Sequence, residues 1–438
     1  MGIALNYILH NPHKVNFFGK TVHDWITGGK VPSKLDYFQE YLRNNKAIIY
    51  CDDNGSSLQI GFLKEYRLIS NSIKFTEVYL WLLINKINPF KVKVLFDLKK
   101  IMPNDILFSM THTYLDNESN VSQIVSDLEC IKIFYISHYM FFTSVIAKNI
   151  NKNNSITLVA ENNLYKNSLF FNKYFPDYLK DVYVLPFTFK KKFKKINPFS
   201  ERKNKCIATG SFQTINIGDS AFYDMYDYFK EDTFHPMRKK IFFNSSKIVE
   251  YIDSYISHIE ADTGAALSKL MLPSGNVFTK NVMRIRNYYQ SYFVGNYTRR
   301  KYYDFDIVKK YNEYSMFVAP EEIVDLPGIG FVEGMACGCA YIGIKSNMYR
   351  DIGLIAGTHY VGYENSLDSL LDVIKYYQNH NDELERIAEN GYNFVIEHFS
   401  REIVAKKFLG DLESFYQENV KNTFKTVDAI LHSSFILK

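Results

Sequence analysis

The segment Asp325-Leu-Pro-Gly-Ile-Gly-Phe-Val-Glu333 sets two carboxylates eight positions apart, with glycines at 328 and 330 between them. A small-residue run, Gly334-Met-Ala-Cys-Gly338, and an apolar stretch, Ala340-Tyr-Ile-Gly-Ile344, follow. The pattern reads as a loop, a helix N-terminus and a strand of a parallel sheet. Such a junction offers bare backbone N–H groups and the positive end of a helix dipole to an anion. The carboxylates add acceptors for hydroxyls. Amides for phosphate and acids for sugar hydroxyls together point to a nucleotide-sugar site. Gly328 and Gly330 let the backbone approach sugar and pyrophosphate with no Cβ in the way. The Pro327-Gly328 pair is also ordinary turn chemistry.

These residues resemble the donor-site signature of the retaining GT-B glycosyltransferases, the group-1/family-4-like class. Its usual form is Glu, seven residues, Glu, with a Gly-rich first half and an E-A-M-A-C-G-x-P-V-I second half. Here the second half reads Glu333-Gly-Met-Ala-Cys-Gly338-Cys-Ala-Tyr-Ile342. Asp325 is one methylene shorter than the usual first acid, Gly334 replaces Ala, and Ala340 replaces Pro. The flanks agree: residues 306–320 (DIVKKYNEYSMFVAP) look like the helix and strand before the motif, and 384–412 like the closing helices. The match is good over about residues 305–412 and holds only in outline before them.

The resemblance implies roles. Glu333 accepts hydrogen bonds from both ribose hydroxyls of the donor, one to each oxygen. Asp325 contacts hydroxyls of the transferred sugar, and Gly328, Ile329 and Gly330 line the donor. Metal-independent members match the leaving diphosphate with an Arg and a Lys near the start of the second domain. That Arg follows the Gly of the first strand; here the position after Gly210 is Ser211, and the Lys is missing too. Arg238 and Lys239, beside Lys240, are candidate substitutes, as are Arg299 and Arg300. A histidine at a strand end of the first domain often touches the transferred sugar. His112 and His138 both follow apolar runs at the sheet end where open α/β folds bind ligands, and the Phe-Tyr-Ile-Ser-His138 context looks more like the family's. The bland alternatives are a dipole-matching or solvated acid, solvated basic faces and packed loop histidines.

Elements must hold these groups in place, and composition bounds them. The 438 residues suit two domains of about 200 each. An apolar content of 47% excludes disorder, and a net charge of +5 fits anionic ligands or an anionic membrane face. That excess is too small to argue for nucleic acid. Five scattered cysteines give no disulfide framework, which fits a reducing cytosol. Cys337-Gly-Cys339 lacks a second ligand pair, so no metal is expected and the pair reads as a small-residue helix end. No signal peptide is read, and the apolar run at 78–84 is far short of a membrane span.

Strand candidates in the first half are 47–51, 92–96, 105–110, 131–137, 156–160 and 182–185, alternating with helix-like stretches such as 34–43 and 122–129. Their continuous apolar runs predict a parallel sheet covered on both faces. Residues 206–210, 292–295, 316–319, 340–344 and 360–362 predict a second set. Ser366 and Ser400 are placed to cap helices bearing apolar residues at helical spacing. Residues 213–290 show no clean periodicity. The expected fold is α/β, GT-B, with two Rossmann-like domains whose parallel sheets face across a cleft. Residues 1–190 form the acceptor-side domain, 191–205 a basic linker, 206–410 the donor domain, and 411–438 a helical tail crossing back. The linker lysines, interleaved with Phe187, Phe189 and Phe193, read as a solvated tether or a patch for an anionic inner leaflet.

The resulting expectation is a metal-independent, retaining glycosyltransferase with no cofactor beyond its nucleotide-sugar substrate. Its acceptor is a glycan or lipid-linked glycan of bacterial surface polysaccharide or lipopolysaccharide synthesis. It is cytoplasmic or peripheral on the inner face of the plasma membrane. A nucleotide-sugar epimerase, a polyol-phosphate transferase, a non-catalytic partner subunit of the same fold and an anionic-polymer binding module are the alternatives.

Overall fold

Runs of β-branched and aromatic residues order the chain into two units, each built on a parallel sheet. The computed structural model describes strands at 2–6, 47–50, 92–95 and 105–109, then residues 127–136, 139–151, 156–215, 220–259 and 305–421. The first unit holds residues up to 160, residues 164–185 and the stretch beginning at 405. The second holds 161–163 and 186–404.

The first sheet contains β1 (Gly2–Asn6), β2 (Ala47–Tyr50), β3 (Val92–Leu95), β4 (Asp105–Ser109), β5 (Ile131–Tyr135), β6 (Ile156–Ala160) and β7 (Tyr183–Val184). Its order is β3-β2-β1-β4-β5-β6-β7, and every described pairing is parallel. All five residues of β6 are buried, the burial that a strand covered on both faces needs. Helices α1 (Thr143–Asn151), α2 (Leu164–Asn167) and α3 (Leu169–Tyr174) flank it. Phe171 stacks on Phe175 at 4.5 Å and meets Tyr139 and Tyr178 edge-on, giving this unit an aromatic core. The predicted helices at 34–43 and 122–129 fall on residues outside the description, apart from 127–129.

The second unit carries β8 (Lys203–Ala208), β9 (Ser211–Gln213), α4 (Tyr223–Phe229), α5 (Pro236–Phe243), β10 (Ile252–Ser254), β11 (Ser257–Ile259), α6 (Ile307–Glu313) and β12 (Tyr314–Val318). It continues with α7 (Gly330–Ala336), β13 (Ala340–Ile344), α8 (Asn347–Asp351), β14 (Val361–Tyr363), α9 (Leu367–Gln378), α10 (Asn381–His398) and α11 (Arg401–Lys421). The sheet order is β10-β8-β12-β13-β14, all parallel, with a small β9–β11 ribbon beside it. From β8 the chain moves to β10 on one side, while β12 leads to β13 and β14 on the other. The order therefore reverses between β8 and β12, which is where open α/β sheets place their ligands.

The core under this sheet joins Ala208, Met316, Val318 and Ile342 to Ile241 of α5, Leu370 and Ile374 of α9, and Leu384 and Ile387 of α10. Ser366 Oγ accepts from the Ser369 amide at 3.1 Å and caps α9. Ser400 Oγ accepts from the Ile403 amide at 3.4 Å ahead of α11. Farther along α11, Asp411 accepts a 2.6 Å hydrogen bond from the Tyr183 hydroxyl and Phe408 packs on the same ring, so this part of the helix belongs to the first unit.

Two expectations need correction. The strand expected at 206–210 starts at Lys203 and ends at Ala208, because Gly210 adopts a φ of +122° and breaks the extended run before β9. The basic stretch 191–205, expected as a linker, keeps its lysines at the surface but is anchored within the second unit. Phe193 and Phe199 are buried, and the Arg202 guanidinium donates to the carbonyls of Tyr311 (3.0 Å), Asn197 (3.1 Å) and Cys337 (2.8 Å). Lysine-rich composition reports the exposed tips; the phenylalanines and Arg202 decide where the segment lies. The predicted strand at 292–295 lies outside the described residues.

Candidate functional site

Arg238 marks the reversal point of the second sheet. Pro236 starts α5, and two residues on, the guanidinium reaches over the ends of β8 and β12. Its Nε donates to the Pro320 carbonyl at 2.9 Å and its Nη1 to the Ser211 carbonyl at 3.0 Å. A Cβ on Gly210 would sit 3.1 Å from the guanidinium, and one on Gly328 would sit 3.0 Å from Nη2. The cation thus lies between two bare backbone positions. Nη2 makes no hydrogen bond among the described residues and is not sealed from solvent. Burial lowers the Arg238 pKa, and the nearby Glu322 and Glu321 oppose that shift. Arg238 remains a cation at neutral pH.

Gly210, Ser211, Gly328 and Arg238 therefore come together. Lys239 does not join them: its ammonium pairs with Asp232 at 2.5 Å. Successive helical residues point about 100° apart, so α5 cannot aim both cations into one crevice. Arg299 and Arg300 lie outside the described residues, as do His138 and His112.

Glu333 occupies the first turn of α7 and is 6% exposed. No described residue hydrogen-bonds its carboxylate. Burial pushes its pKa up to about 7, tempered by the charges of Lys190 and Lys192. An acid left this way binds an incoming hydroxyl without first giving up an internal partner. The dipole contribution is small, since α7 has seven residues and its cap, Ile329, supplies no side-chain acceptor. Ile329 itself is 38% exposed.

Two glycines of the motif also have internal reasons to be glycine, beside the ligand approach and turn roles expected at 328 and 330. A Cβ on Gly330 would lie 2.8 Å from Ala319 Cβ, and one on Gly334 would strike the Phe317 ring. The helix is pulled hard onto β12. Gly334, a departure from the resembling signature, follows from the bulk of Phe317.

Asp325 sits in the turn between Glu322 and Leu326, whose backbones bridge at 2.9 Å. Its φ is +62°, a left-handed conformation that Asp and Asn tolerate best among non-glycine residues. The Asn162 side-chain amide donates to its carbonyl at 2.8 Å.

Two acids here escaped the sequence reading. Glu321 is buried, and its Oε1 accepts from Tyr341 Oη (2.9 Å), Tyr349 Oη (2.6 Å) and the Ile344 amide (3.1 Å). Glu322 has a pKa pushed up to about 7 by burial, lowered by Arg238 and raised by Glu161. An acidic pair two residues beyond an apolar strand was the available signal. The cysteines fit the small-residue reading: Cys337 and Cys339 are buried, burial raises both thiols, and Cys339 Sγ donates to the Tyr314 carbonyl at 3.1 Å. Among the described residues no helix is long and apolar enough to cross a membrane.

Residues 280–410 match a family model described as glycosyl transferase-like, and the whole Asp325–Ile344 segment lies inside that match. HepE of Anabaena, solved with UDP and glucose, is 11% identical with a TM-score of 0.48, over 94% of this chain and 100% of that one. Sucrose-phosphate synthase of Thermosynechococcus elongatus is 10% identical with a TM-score of 0.46, over 95% of this chain and 99% of that one. A glycosyltransferase of Rickettsia africae is 13% identical with a TM-score of 0.43, over 96% and 99% respectively. No curated protein matches the chain.

Proposed function

We propose that this protein is a GT-B glycosyltransferase that moves a sugar from a nucleoside-diphosphate donor, and that its second unit holds the donor. The observation that carries this reading is the Arg238 guanidinium at the sheet's reversal point, braced on two carbonyls with Nη2 left over beside Gly328. The family match over residues 280–410, which holds Gly328 and Glu333 but not Arg238, supports it. So does Glu333, a buried acid with no hydrogen-bond donor among the described residues.

In this mechanism Glu333 binds the ribose hydroxyls and Arg238 takes an oxygen of the diphosphate. Asp325 and His138 meet hydroxyls of the transferred sugar. The bond from the anomeric carbon to the phosphate oxygen breaks as negative charge grows on the diphosphate, and Arg238 matches that charge without a metal. The acceptor hydroxyl attacks through an oxocarbenium-like transition state on the face the phosphate leaves. Its proton passes to the departing phosphate oxygen, and nucleoside diphosphate is released with retention. The first unit offers the acceptor side, and the acceptor is a glycan or lipid-linked glycan of bacterial surface polysaccharide synthesis, met in the cytoplasm or at the inner membrane face. Lys239 takes part only if it leaves Asp232.

A thermal-shift panel of nucleoside diphosphates and their sugars tests the reading, since a ligand that binds the native state raises Tm by mass action. One nucleotide should raise it, and Glu333→Ala should abolish that shift and donor turnover. Wild-type turnover in Glu333→Ala would overturn the site. One observation favours a second reading: of the candidate pair Arg238 and Lys239, Lys239 is held by Asp232 and does not join Arg238. A non-catalytic subunit would show the nucleotide shift with no turnover.

A further inference from the structure

Glu321 and Glu322 are adjacent at the end of β12, and the fold treats them oppositely. Three protein donors converge on Glu321 Oε1. Nothing among the described residues donates to either oxygen of Glu322. Its Oε2 is sealed from solvent without a partner, while Oε1 is not sealed and the side chain is 15% exposed. The charged and titratable groups facing it are Glu161, Arg238 and His235, whose Nε2 is 3.9 Å from Oε1 and beyond hydrogen-bond reach.

A part-buried acid with no donor is expensive to keep unless something supplies one. The backbone around Glu322 is fixed: its amide donates to the Leu326 carbonyl at 2.9 Å, and the Ile323 amide donates to the Phe234 carbonyl at 2.8 Å. The turn therefore holds Glu322 in place while its acceptor capacity stays unused. Beside it, Arg238 spends Nε and Nη1 on carbonyls and keeps Nη2. The two residues leave over one acceptor and one cationic donor. An ionised phosphate oxygen satisfies only the cation, because it accepts hydrogen bonds and cannot donate one to Glu322. A ligand carrying both anionic oxygens and hydroxyls satisfies both.

We propose that Glu322 is a ligand-reading residue of this site, its Oε1 accepting a hydroxyl hydrogen bond from the glycosyl half of a sugar diphosphate whose anionic oxygens take Arg238 Nη2. This rests on the donor-site reading above and deepens it: Glu322, outside the signature motif, makes the site prefer a nucleotide sugar to the free nucleotide.

The test measures dissociation constants of the full-length chain for UDP and UDP-glucose, and for GDP and GDP-mannose, by calorimetry. The quantity read is the ratio of nucleotide to nucleotide-sugar Kd. In the wild type the sugar-bearing member of the accepted pair binds more tightly. Glu322→Met, similar in length with no acceptor, should cut that ratio about tenfold, the worth of one hydrogen bond to a charged group. Glu322→Gln keeps one acceptor oxygen and should retain most of the preference. A change common to both ligands, as expected if Glu322 only tunes the charge of Arg238, leaves the ratio unmoved and overturns the proposal. Equal loss in the Met and Gln variants overturns it too. A wild type that binds none of the four ligands overturns the donor-site reading, and this inference falls with it.

Discussion

The side-chain amide of Asn162 donates to the backbone carbonyl of Asp325 at 2.8 Å, and Asp325 stands at a φ of +62°. Asn162 is fully buried, so its amide has no water to fall back on. The bond holds a left-handed residue at the tip of a turn that starts at Glu322. Asn162→Ala should cost about 1–2 kcal/mol, the loss of a buried hydrogen bond. Asp325→Asn keeps a residue that tolerates this conformation and should leave stability nearly unchanged while lowering turnover. Asp325→Val should cost a further ~1–3 kcal/mol, because a β-branched residue resists positive φ. Urea denaturation of the three variants checks the order.

Glu333 should be a stability liability with a defined pH window. Burial raises its pKa from 4.5 to about 7. Between those values the folded state binds more protons than the unfolded one, so stability falls as pH rises through the window. The penalty is absent below about pH 4.5 and complete above about pH 7, and a shift of this size is worth roughly 3 kcal/mol. Glu333→Gln should therefore stabilise the protein at pH 8, show almost no difference at pH 4.5, and lose turnover at both. Equal denaturation midpoints for variant and wild type at pH 8 would show that the carboxylate carries no such cost.

The sequence made some of this legible because a local pattern carried it. The strands β6 and β13 fall residue for residue on their predicted ranges, since each is a short, largely apolar run that stops at a charged residue, Glu161 and Lys345. The sequence could offer Arg238 and Lys239 together but not choose between them, because the choice is a rotation of about 100° around α5 that only tertiary contacts fix. Glu321 and Glu322 were missed for a related reason. Adjacent acids look alike in a sequence, and only the position of Tyr341, Tyr349 and the Ile344 amide separates the satisfied one from the other. The lysines of 191–205 say nothing of its anchor, Arg202, whose guanidinium reaches the Tyr311 and Cys337 carbonyls far along the chain.

Gly334 and Phe317 should behave as a coupled pair. A Cβ at 334 would strike the Phe317 ring, which is fully buried on β12. Gly334→Ala should destabilise by about 1–3 kcal/mol through overpacking, despite its better helix propensity. Phe317→Leu alone should cost on the order of 1–2 kcal/mol through lost packing. The double variant should be more stable than the sum of the single costs, because the smaller side chain makes room for the new methyl. A double-mutant cycle in urea measures that coupling, and strict additivity would mean that the helix moves rather than clashes.

Arg238 should matter to ligand binding more than its charge alone would suggest. The guanidinium uses two of its nitrogens as braces, on Pro320 and Ser211, and these fix the direction of the third. Arg238→Lys keeps the charge but cannot make both bonds and still present a donor beside Gly328. It should weaken binding of the accepted nucleoside diphosphate nearly as much as Arg238→Met, by about 10- to 100-fold in each case, the range of a lost charge-assisted hydrogen bond. The salt dependence separates the two variants: the lysine variant should keep part of the wild-type sensitivity to ionic strength and the methionine variant should lose it. Calorimetric titration at low and high salt reads both effects. A lysine variant that binds as well as wild type would mean that position 238 supplies charge without geometry, and the bracing by the two carbonyls would have no part in recognition.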